Sequence, residues 1–460
     1  MCHHGQPTAG RLRHSHPAAT RRRDRAGAAR LVTDPLDYLF SLEQFGIKFG
    51  LENITALLSA IGLPERAFRS VHVAGTNGKG SVTAMLDASL RAAGHRTARY
   101  TSPHITDLSE RFVIDGRPVD RHTLRAAIAR VRDASAGLLA AGTLTAHPTF
   151  FEVATAAAFE MFRRAQVAVA VCEAGLGGRL DATNVLTPAV SAITSIDFDH
   201  QQYLGHTLAA IAFEKAGIIK PGVPVVIGDI TGPAGDTIEQ VARERGAPLV
   251  RAHDGVRIDD LLLGPGEVRM RLTTAAGNYG SLRLSLAGRH QVHNAVVAVR
   301  VLEALTGLGI AVSPDAVRAG LATVRWPGRL ERLVLDAGRE LLLDAAHNPA
   351  GAAALASYLA AAGEKRPLVF AAMGDKDCPE MLRVLAPAVE AVVMTRASNR
   401  RSADPFELAE MARRVAPALP VMTASTVDAA LAAAWTISPH VVVAGSIFLL
   451  GDVLEQLGRP

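Results

Sequence analysis

A glycine-rich loop between an apolar run and a helical pattern constrains the fold of this chain more than any other feature. The β-branched run Ser70–Ala74 leads into Gly75-Thr-Asn-Gly-Lys-Gly-Ser81, and a helical pattern continues from Val82 to Ala93. Glycines let backbone N–H groups converge on an anion, while the helix N-terminus and the lysine add positive potential. The loop differs from G-x-x-x-x-G-K-[ST], because Val73 replaces the first glycine and a glycine separates the lysine from the serine. The pattern favours a triphosphate-binding loop over a plain turn.

The 460-residue chain is long enough for two or three domains. Its hydrophobic content is 49% and its aromatic content only 5%. The longest apolar runs, such as Val441–Leu450, are much shorter than the roughly 20 residues that span a bilayer, so no membrane segment is predicted. Cys2, Cys172 and Cys378 are too few and too widely spaced for a disulfide framework or a zinc knuckle, which fits a reducing, cytoplasmic location.

The net charge of +5 comes from the N-terminal segment. Residues 1–30 hold seven arginines and one acid, Asp24, so the rest of the chain sums to −1. This near-neutral body argues against a nucleic-acid-binding surface. The segment lacks apolar periodicity and an apolar signal core, and we expect a disordered basic extension. A targeting peptide, a nucleic-acid-binding arm and the product of an upstream start codon remain open interpretations.

Beyond Pro35, Val/Ile-rich runs alternate with Ala/Leu-rich amphipathic segments, which is typical of helices around a parallel sheet. The first predicted strands are Ser70–Ala74, Arg96–Tyr100, Val167–Glu173, Val190–Ile196 and Val223–Ile227. Residues 247–287 predict a small antiparallel sheet, and helices follow from about His290 to Leu305 and from Pro314 to Ala322.

The alternation is interrupted at Trp326-Pro-Gly-Arg329 and then resumes, with further strands at Leu341–Ala345, Pro367–Ala371, Ala391–Met394 and Val441–Ala444. The sequence thus predicts an α/β protein. A P-loop-type, mostly parallel sheet domain with a small antiparallel sheet occupies residues 31–324, and a smaller Rossmann-like α/β domain occupies residues 325–460.

Polar motifs follow the ends of several predicted strands. Glu173-Ala-Gly-Leu-Gly-Gly-Arg-Leu-Asp-Ala-Thr-Asn184 follows one strand, Asp199-His200 ends another, and Tyr100-Thr-Ser-Pro-His104 ends a third. Carboxyl ends of parallel strands form the ligand-binding edge of such sheets. A carboxylate there suits Mg²⁺, which prefers oxygen ligands, and the imidazole of His200 is a second candidate ligand. A solvated glutamate and a structural histidine are the alternatives.

These motifs, in this order, resemble the folylpolyglutamate synthase/dihydrofolate synthase family of the Mur ligase superfamily. Glu214-Lys-Ala-Gly-Ile-Ile-Lys220 completes the match, which extends from about Asp34 to Leu457. The resemblance implies an ATP-dependent amide ligase. It would add L-glutamate to dihydropteroate, to the γ-carboxyl of (tetrahydro)folyl-glutamates, or to both, through an acyl phosphate, giving ADP and phosphate. Its partners would be these small molecules, without nucleic acid or membrane, and the protein would be a monomer.

The resemblance assigns most of the ATP site to the loop and the remainder to three distant residues. The phosphates would be bound by Asn77, Gly78, Lys79, Gly80 and Ser81, the adenine side by Asn294, and the far side of the cleft by Arg329 and Asp344. Mg²⁺ would be held by Ser81, Glu173, His200 and a hydroxyl of Thr101 or Ser102, between which the sequence does not decide.

The resemblance also assigns catalytic roles. Lys79, Glu173 and His200 would serve phosphoryl transfer. Arg329 would neutralise charge on the transferring group, since it is a planar cation. Lys215 would react with CO₂ to give a carbamate able to orient a second cation, either Mg²⁺ or monovalent. From the residues alone, Lys215 reads as a surface lysine in a helix, and Arg329 could equally form a linker salt bridge.

Substrate contacts implied by the resemblance fall into four groups. They are Phe49, Gly50 and Leu51; Pro148, Thr149, Phe150 and Phe151; Leu180, Asp181 and Ala182; and, at the glutamate end, His347 and Ser446. The aromatic side chains could stack on a flat pterin, although core packing is the simpler interpretation of adjacent phenylalanines. The first three groups together favour dihydropteroate as well as folates. The sequence departs from the family at Ala345, where many members have glycine.

Two other functions are weighed against this one. A peptidoglycan Mur ligase would use the same chemistry, but residues 1–30 are too short for the added UDP-binding domain. A nucleotide-binding switch, or a nucleic-acid-binding protein that uses the basic extension, is the second alternative. No N-K-x-D guanine signature occurs, and the body has no basic surplus.

Overall fold

The computed structural model describes residues 34–46 and 48–459, the side chain of residue 337 excepted, so the predicted extension 1–30 lies outside the described residues. The strands β1 to β17 are Arg69–Ala74, Thr97–Tyr100, Phe112–Ile114, Arg117–Pro118, Val169–Glu173, Val190–Ile193, Val225–Ile227, Leu249–Arg251, Arg257–Leu263, Val268–Thr273, Asn278–Leu284, Glu331–Val334, Glu340–Asp344, Arg366–Phe370, Val389–Met394, Val421–Thr423 and His440–Ala444. The helices α1 to α15 are Pro35–Ser41, Glu52–Ala60, Lys79–Ala92, Arg121–Ala140, Phe150–Arg164, Gln201–Leu204, Leu208–Ala216, Gly232–Glu244, Arg289–Gly307, Pro314–Thr323, Pro349–Ala362, Cys378–Leu385, Pro405–Val415, Val427–Trp435 and Ile447–Gln456. The predicted α/β fold class is confirmed.

The first sheet has eight strands in the order β4-β3-β2-β5-β1-β6-β7-β8. Strands β2, β5, β1, β6, β7 and β8 are parallel, and β3 runs antiparallel to both of its neighbours. Val73 pairs with Glu173, and Ala74 pairs with Ile193, so β5, β1 and β6 end side by side. This register brings the motifs that follow these three strands to one edge.

Helices cover both faces of this sheet because its central strands are apolar on both sides. Along β5, Val169 and Val171 pack with α3 and α9, whereas Ala170 and Cys172 pack with α4 and α5 on the opposite face. Consecutive strand residues point to opposite faces, so one continuous apolar run serves two cores. Strand β5, which pairs with β1, is therefore held between two packed layers.

A three-stranded antiparallel sheet, ordered β11-β10-β9, packs against the α3 and α9 side. Strand β10 alternates buried and exposed residues, as a sheet with one covered face should. The sequence predicted this sheet at residues 247–287, and its β10 and β11 segments are confirmed. Strand β8 lies in the same range but is parallel to β7 in the large sheet, so its assignment to the small sheet was wrong.

The third sheet has the order β12-β13-β17-β14-β15-β16, in which only β12 is antiparallel to its neighbour. Helices α11, α12 and α13 cover one face, and α14 and α15 cover the other. The four strands predicted after residue 325 are confirmed. The two large sheets use residues 69–251 and 331–444, while the exact domain limits near 31 and 325 stay predictions. No helix in the described part of the chain has the length and apolar character to cross a bilayer.

Candidate active site

The loop between β1 and α3 is held in shape by the chain that follows β6. Thr194 Oγ1 donates a 2.6 Å hydrogen bond to the carbonyl of Asn77, and the N–H of Asn77 donates to Ser195 Oγ at 3.0 Å. Gly78 has a φ of +84°, and a Cβ at this position would lie 2.3 Å from Asn294 Oδ1. The turn therefore requires glycine, and hydrogen bonds from the chain after β6 fix the shape of the loop.

The Lys79 ammonium lies at the centre of this loop. It donates to the carbonyls of Gly75 and Thr76, both at 3.1 Å, and its Nζ is 4.0 Å from Glu173 Oε1. Burial raises the pKa of Glu173, and the charge of Lys79 opposes that shift. The N–H of Ser102 is 3.4 Å from the other carboxylate oxygen of Glu173. An ammonium group and a carboxylate thus meet where β1 and β5 end.

Lys215 reaches the same loop from helix α7. Its side chain is only 5% exposed, and Nζ donates a 2.8 Å hydrogen bond to the carbonyl of Gly75. The alternative of a surface lysine is therefore wrong. Burial, together with the charge of Lys79, lowers the pKa of Lys215 to about 7. A substantial fraction of this amine is neutral near pH 7, which is the form that can attack CO₂.

Asp199 is contacted by side chains from the loops that follow strands of the third sheet. Its carboxylate accepts hydrogen bonds from Lys376 Nζ at 2.5 Å and from Asn348 Nδ2 at 3.1 Å, and His347 Nε2 lies 3.4 Å away. Although burial alone would raise the pKa of Asp199, the contacts with His347 and Lys376 hold it well below its usual range. His200 Nε2 lies 3.8 Å from this carboxylate, and burial lowers the pKa of His200 to about 4. His200 is therefore neutral and can offer a lone pair.

The predicted metal ligands supply donors that fit Mg²⁺. Among residues 34–46 and 48–459, no cluster of three or more His, Cys, Asp and Glu side chains has metal-like spacing. Glu173 is nevertheless a buried carboxylate with only long contacts, and Ser81 supplies a buried hydroxyl on the first turn of α3. Hard oxygen donors of this kind suit Mg²⁺ bound through one or two carboxylates. Ser102, unlike Thr101, touches Glu173 through its backbone.

Arg329 and Asp344 lie where the third sheet approaches the loop. The carboxylate of Asp344 accepts 2.9 Å hydrogen bonds from the N–H groups of Leu330 and Ala346. Burial raises the pKa of Asp344, and Arg329 opposes the shift. Burial lowers the pKa of Arg329, while Asp344 and Glu173 both oppose that change. The guanidinium is thus close enough to one acid on each large sheet to feel its charge.

Gln291 is a site residue that the sequence did not single out. Its Nε2 donates to Ser81 Oγ at 3.2 Å, and its Oε1 accepts from Asn294 Nδ2 at 3.0 Å. The two amides lie three residues apart on α9 and so share one face of that helix. The predicted adenine-side residue is thereby linked to the hydroxyl at the end of the loop. Two amide side chains three residues apart in a predicted helix were the sequence pattern that could have indicated Gln291.

A cavity of about 260 Å³ opens beside Ser102. Seven of the predicted substrate residues line it, namely Phe49, Gly50, Thr149, Phe151, Leu180, Asp181 and Ala182. Leu51, Pro148 and Phe150 do not: Leu51 packs into the core around α2, and Phe150 faces Arg111 and Phe40. The cavity also has lining residues that the sequence did not single out, among them Lys48, Arg111 and Glu152.

The two residues predicted at the glutamate end follow neighbouring strands, β13 and β17. His347 Nδ1 lies 2.9 Å from the carbonyl of Ala345, which turns Nε2 towards Asp199. Ser446 is buried, and its Oγ accepts a 3.2 Å hydrogen bond from the N–H of Phe448 as the N-cap of α15. The hydroxyl of Ser446 thus caps that helix and keeps its own hydrogen for a further partner.

Comparisons with known proteins agree with this geometry. A family model described as Mur ligase middle domain matches residues 73–302, and one described as Mur ligase, glutamate ligase domain matches residues 328–447. The dihydrofolate synthase/folylpolyglutamate synthase of Mycobacterium tuberculosis is 38% identical over 446 residues, which cover 89% of this chain and 90% of that protein.

Solved structures show the same likeness. The folylpolyglutamate synthase of M. tuberculosis, complexed with ADP and AMPPCP, has a TM-score of 0.85 and 36% identity, covering 93% of this chain and 100% of that one. E. coli FolC in complex with DHPP and ADP has a TM-score of 0.79 and 29% identity, covering 93% of this chain and 98% of that one.

Proposed function

This chain belongs to the dihydrofolate synthase/folylpolyglutamate synthase family of the Mur ligases, and from that premise we propose how its residues carry out the reaction. The protein is an ATP-dependent ligase that joins L-glutamate to folates. One observation carries the residue assignment: Lys79 Nζ lies 4.0 Å from Glu173 Oε1 where β1 and β5 end. Charges of both signs are thereby available at the edge where α/β sheets bind ligands.

The loop from Asn77 to Ser81 binds the ATP phosphates. Its backbone N–H groups and the N-terminus of α3 attract anions, and Lys79 adds a full positive charge. Asn294 lies beyond Gly78 and contacts the nucleoside side. Relatives of solved structure hold ADP and AMPPCP, which supports nucleotide binding here.

Phosphorylation makes the substrate carboxylate reactive. A carboxylate alone does not form an amide, because oxide would have to leave. Transfer of the γ-phosphoryl group forms a bond from a carboxylate oxygen to phosphorus and releases ADP. The neutral amine of L-glutamate then attacks the acyl carbon, and phosphate leaves as the amide forms and the amine loses a proton. Lys79 and Arg329 neutralise the charge that develops on the phosphoryl oxygens.

Glu173, His200, Ser81 and a hydroxyl from Thr101 or Ser102 would hold Mg²⁺. When bound, the cation supplies further neutralisation of phosphate charge. Lys215 becomes a carbamate by forming a bond from Nζ to the carbon of CO₂ with loss of a proton. Its buried position beside Gly75 suits it to place this negative charge near a second cation, either Mg²⁺ or monovalent.

The pteroyl group occupies the cavity lined by Phe49, Phe151 and Asp181. Ser102 lines this cavity and contacts Glu173, so the carboxylate end of a ligand there faces the phosphate loop. E. coli FolC, which is similar to this chain, was solved with DHPP and ADP. This likeness supports dihydropteroate as one substrate, alongside folyl-glutamates.

The test is an ADP-release assay with ATP, Mg²⁺ and L-glutamate. Dihydropteroate, tetrahydrofolate and a UDP-muramoyl peptide are compared as acceptors. We expect release with one or both pteroyl compounds and none with the peptide. The relatives matched are folate ligases, which already favours this outcome over peptidoglycan synthesis. Release with the peptide alone would overturn the proposal. We also propose a monomer in the cytoplasm, which gel filtration and cell fractionation test.

A further inference from the structure

Arg111 is a fixed cation in the wall of the pteroyl cavity. It ends the short helical turn before β3, and it lines the cavity together with Ser102. Its Nε donates a 2.8 Å hydrogen bond to His104 Nδ1, and its guanidinium carbon lies 5.1 Å from the centre of the Phe150 ring. These two contacts hold the side chain in one orientation.

No acid in the described part of the chain pairs with this cation. Glu43, Glu110 and Glu173 act on Arg111 only at long range, and no ion pair to it forms within 4.0 Å. The nearest acid along the chain, Glu110, already accepts from the N–H groups of Ile105, Thr106 and Asp107. Burial lowers the pKa of Arg111, and the long-range effect of Glu43, Glu110 and Glu173 offsets that shift only in part.

The free part of the guanidinium has the geometry of a carboxylate receptor. With Nε used by His104, the two terminal nitrogens of Arg111 make no hydrogen bond within residues 34–46 and 48–459. A half-buried cation without an acidic partner is costly, and a planar fork of N–H groups matches a carboxylate in two parallel bonds. Lys48, a second cation in the cavity wall, is exposed to solvent.

We infer that Arg111 binds a carboxylate of the pteroyl substrate and so selects anionic ligands for this cavity. This inference rests on the proposed function. Ser102 lines the cavity together with Arg111, and its N–H contacts Glu173 beside the phosphate loop. The ligand group that faces Arg111 is therefore the carboxylate end and not the pterin.

The experiment measures calorimetric binding of dihydropteroate and of its carboxamide, in which –CONH₂ replaces the carboxylate, without ATP. The unmodified protein should prefer the carboxylate by at least about tenfold, since charge-assisted hydrogen bonds are the stronger ones. Arg111→Met should bind both compounds equally, whereas Arg111→Lys, which keeps a point charge, should restore part of the preference. Lys48→Met is the matched control and should keep the full preference.

If Arg111 had only a structural role, its replacement would lower the affinity for both compounds equally and leave the ratio of the two affinities unchanged. That result would overturn the inference. Loss of the preference in Lys48→Met and not in Arg111→Met would also overturn it. If circular dichroism shows that Arg111→Met does not fold, Arg111→Gln and Arg111→Lys are used in its place. The ratio of the affinities for dihydropteroate and its carboxamide is again the deciding quantity. Failure of the proposed function is distinct, because the unmodified protein would then bind neither pteroyl compound and release no ADP with either.

Discussion

Lys376 Nζ lies 2.5 Å from the carboxylate of Asp199, and this buried ion pair joins the loop after β14 to the loop after β6. Asn348 strengthens the connection, since its Nδ2 contacts both Asp199 at 3.1 Å and Asn77 Oδ1 at 3.0 Å. The ends of the two large sheets are therefore tied together beside the phosphate loop. Residues predicted for the glutamate end, such as His347, are thereby held near those predicted for ATP.

Replacing Lys376 by methionine should lower both stability and turnover. The side chains of Lys376 and Asp199 are each 8% exposed, so the variant leaves a buried carboxylate without its cation. We expect a loss of about 2 kcal/mol in the free energy of unfolding and at least about a tenfold fall in kcat. Urea unfolding and ADP release measure these effects.

The control for this prediction is Arg413→Met, which removes the exposed Arg413–Glu410 pair. Exposed pairs contribute little, and a change below about 0.5 kcal/mol is expected. Equal stability and turnover in the two variants would contradict the role given to Lys376.

Uptake of CO₂ by Lys215 should follow its lowered pKa of about 7. Only the neutral amine reacts, so the modified fraction should rise from about pH 6 to about pH 8, whereas an ordinary lysine would require about pH 10. Native mass spectrometry in bicarbonate buffer should show the added mass of one CO₂, and Lys215→Ala should lose both this mass and most activity.

Lys220 provides the specificity control for CO₂ uptake. Burial lowers its pKa to about 8, but its Nζ donates to the carbonyl of Asn184, away from the loop. Lys220→Arg should therefore keep the added mass. Loss of the mass in this variant, together with its retention in Lys215→Ala, would show that the wrong lysine was assigned.

Glu173→Gln should weaken the dependence of activity on Mg²⁺. The amide keeps the shape of the side chain but removes the negative charge of a buried carboxylate. Half-maximal activity should need at least about tenfold more Mg²⁺. The exposed residue Glu364 offers the matched control Glu364→Gln, which should leave the Mg²⁺ titration unchanged. An unchanged titration in Glu173→Gln would remove this residue from the metal site.

Much of the fold was predictable because buried parallel strands are long apolar runs. The run Ser70–Ala74 predicted β1 to within one residue, and the rule for carboxyl ends predicted that Lys79 and Glu173 would meet. Short edge strands were harder. Strand β8 has only three half-buried residues, and its pairing with β7 depends on the sheet and not on its own sequence.

The parts of the site that sequence reasoning missed depend on distant packing. Gln291 contacts Ser81 from 210 residues away, because α9 packs against α3. The sequence could not indicate Arg111 as a ligand-binding residue, because Glu110 next to it reads as an ion-pair partner. Only the structure shows that Glu110 is bound elsewhere, by the N–H of Ile105. For Phe150 and Phe151 the sequence could not decide which ring faces the cavity, since this depends on how α5 is rotated.

A buried histidine on β1 positions the cavity residue Asp181. His72 is fully buried, and its Nε2 lies 2.8 Å from Thr183 Oγ1, which donates a 2.5 Å hydrogen bond to Asp181 Oδ1. Because the threonine hydrogen is used on Asp181, His72 must donate from Nε2. Burial lowers the pKa of His72 to about 3, so the ring is neutral at working pH.

His72→Leu should therefore disturb the pteroyl cavity more than the nucleotide site, although β1 leads directly into the phosphate loop. In this variant the Thr183 hydroxyl no longer receives a hydrogen bond from residue 72, so its own hydrogen bond to Asp181 is less well oriented. We expect KM for dihydropteroate to rise about tenfold while KM for ATP changes less than about twofold. His72→Gln retains an N–H donor and should recover part of the lost affinity. Steady-state kinetics with each substrate varied separately measure this, and a parallel rise in both KM values would mean that His72 supports only the strand.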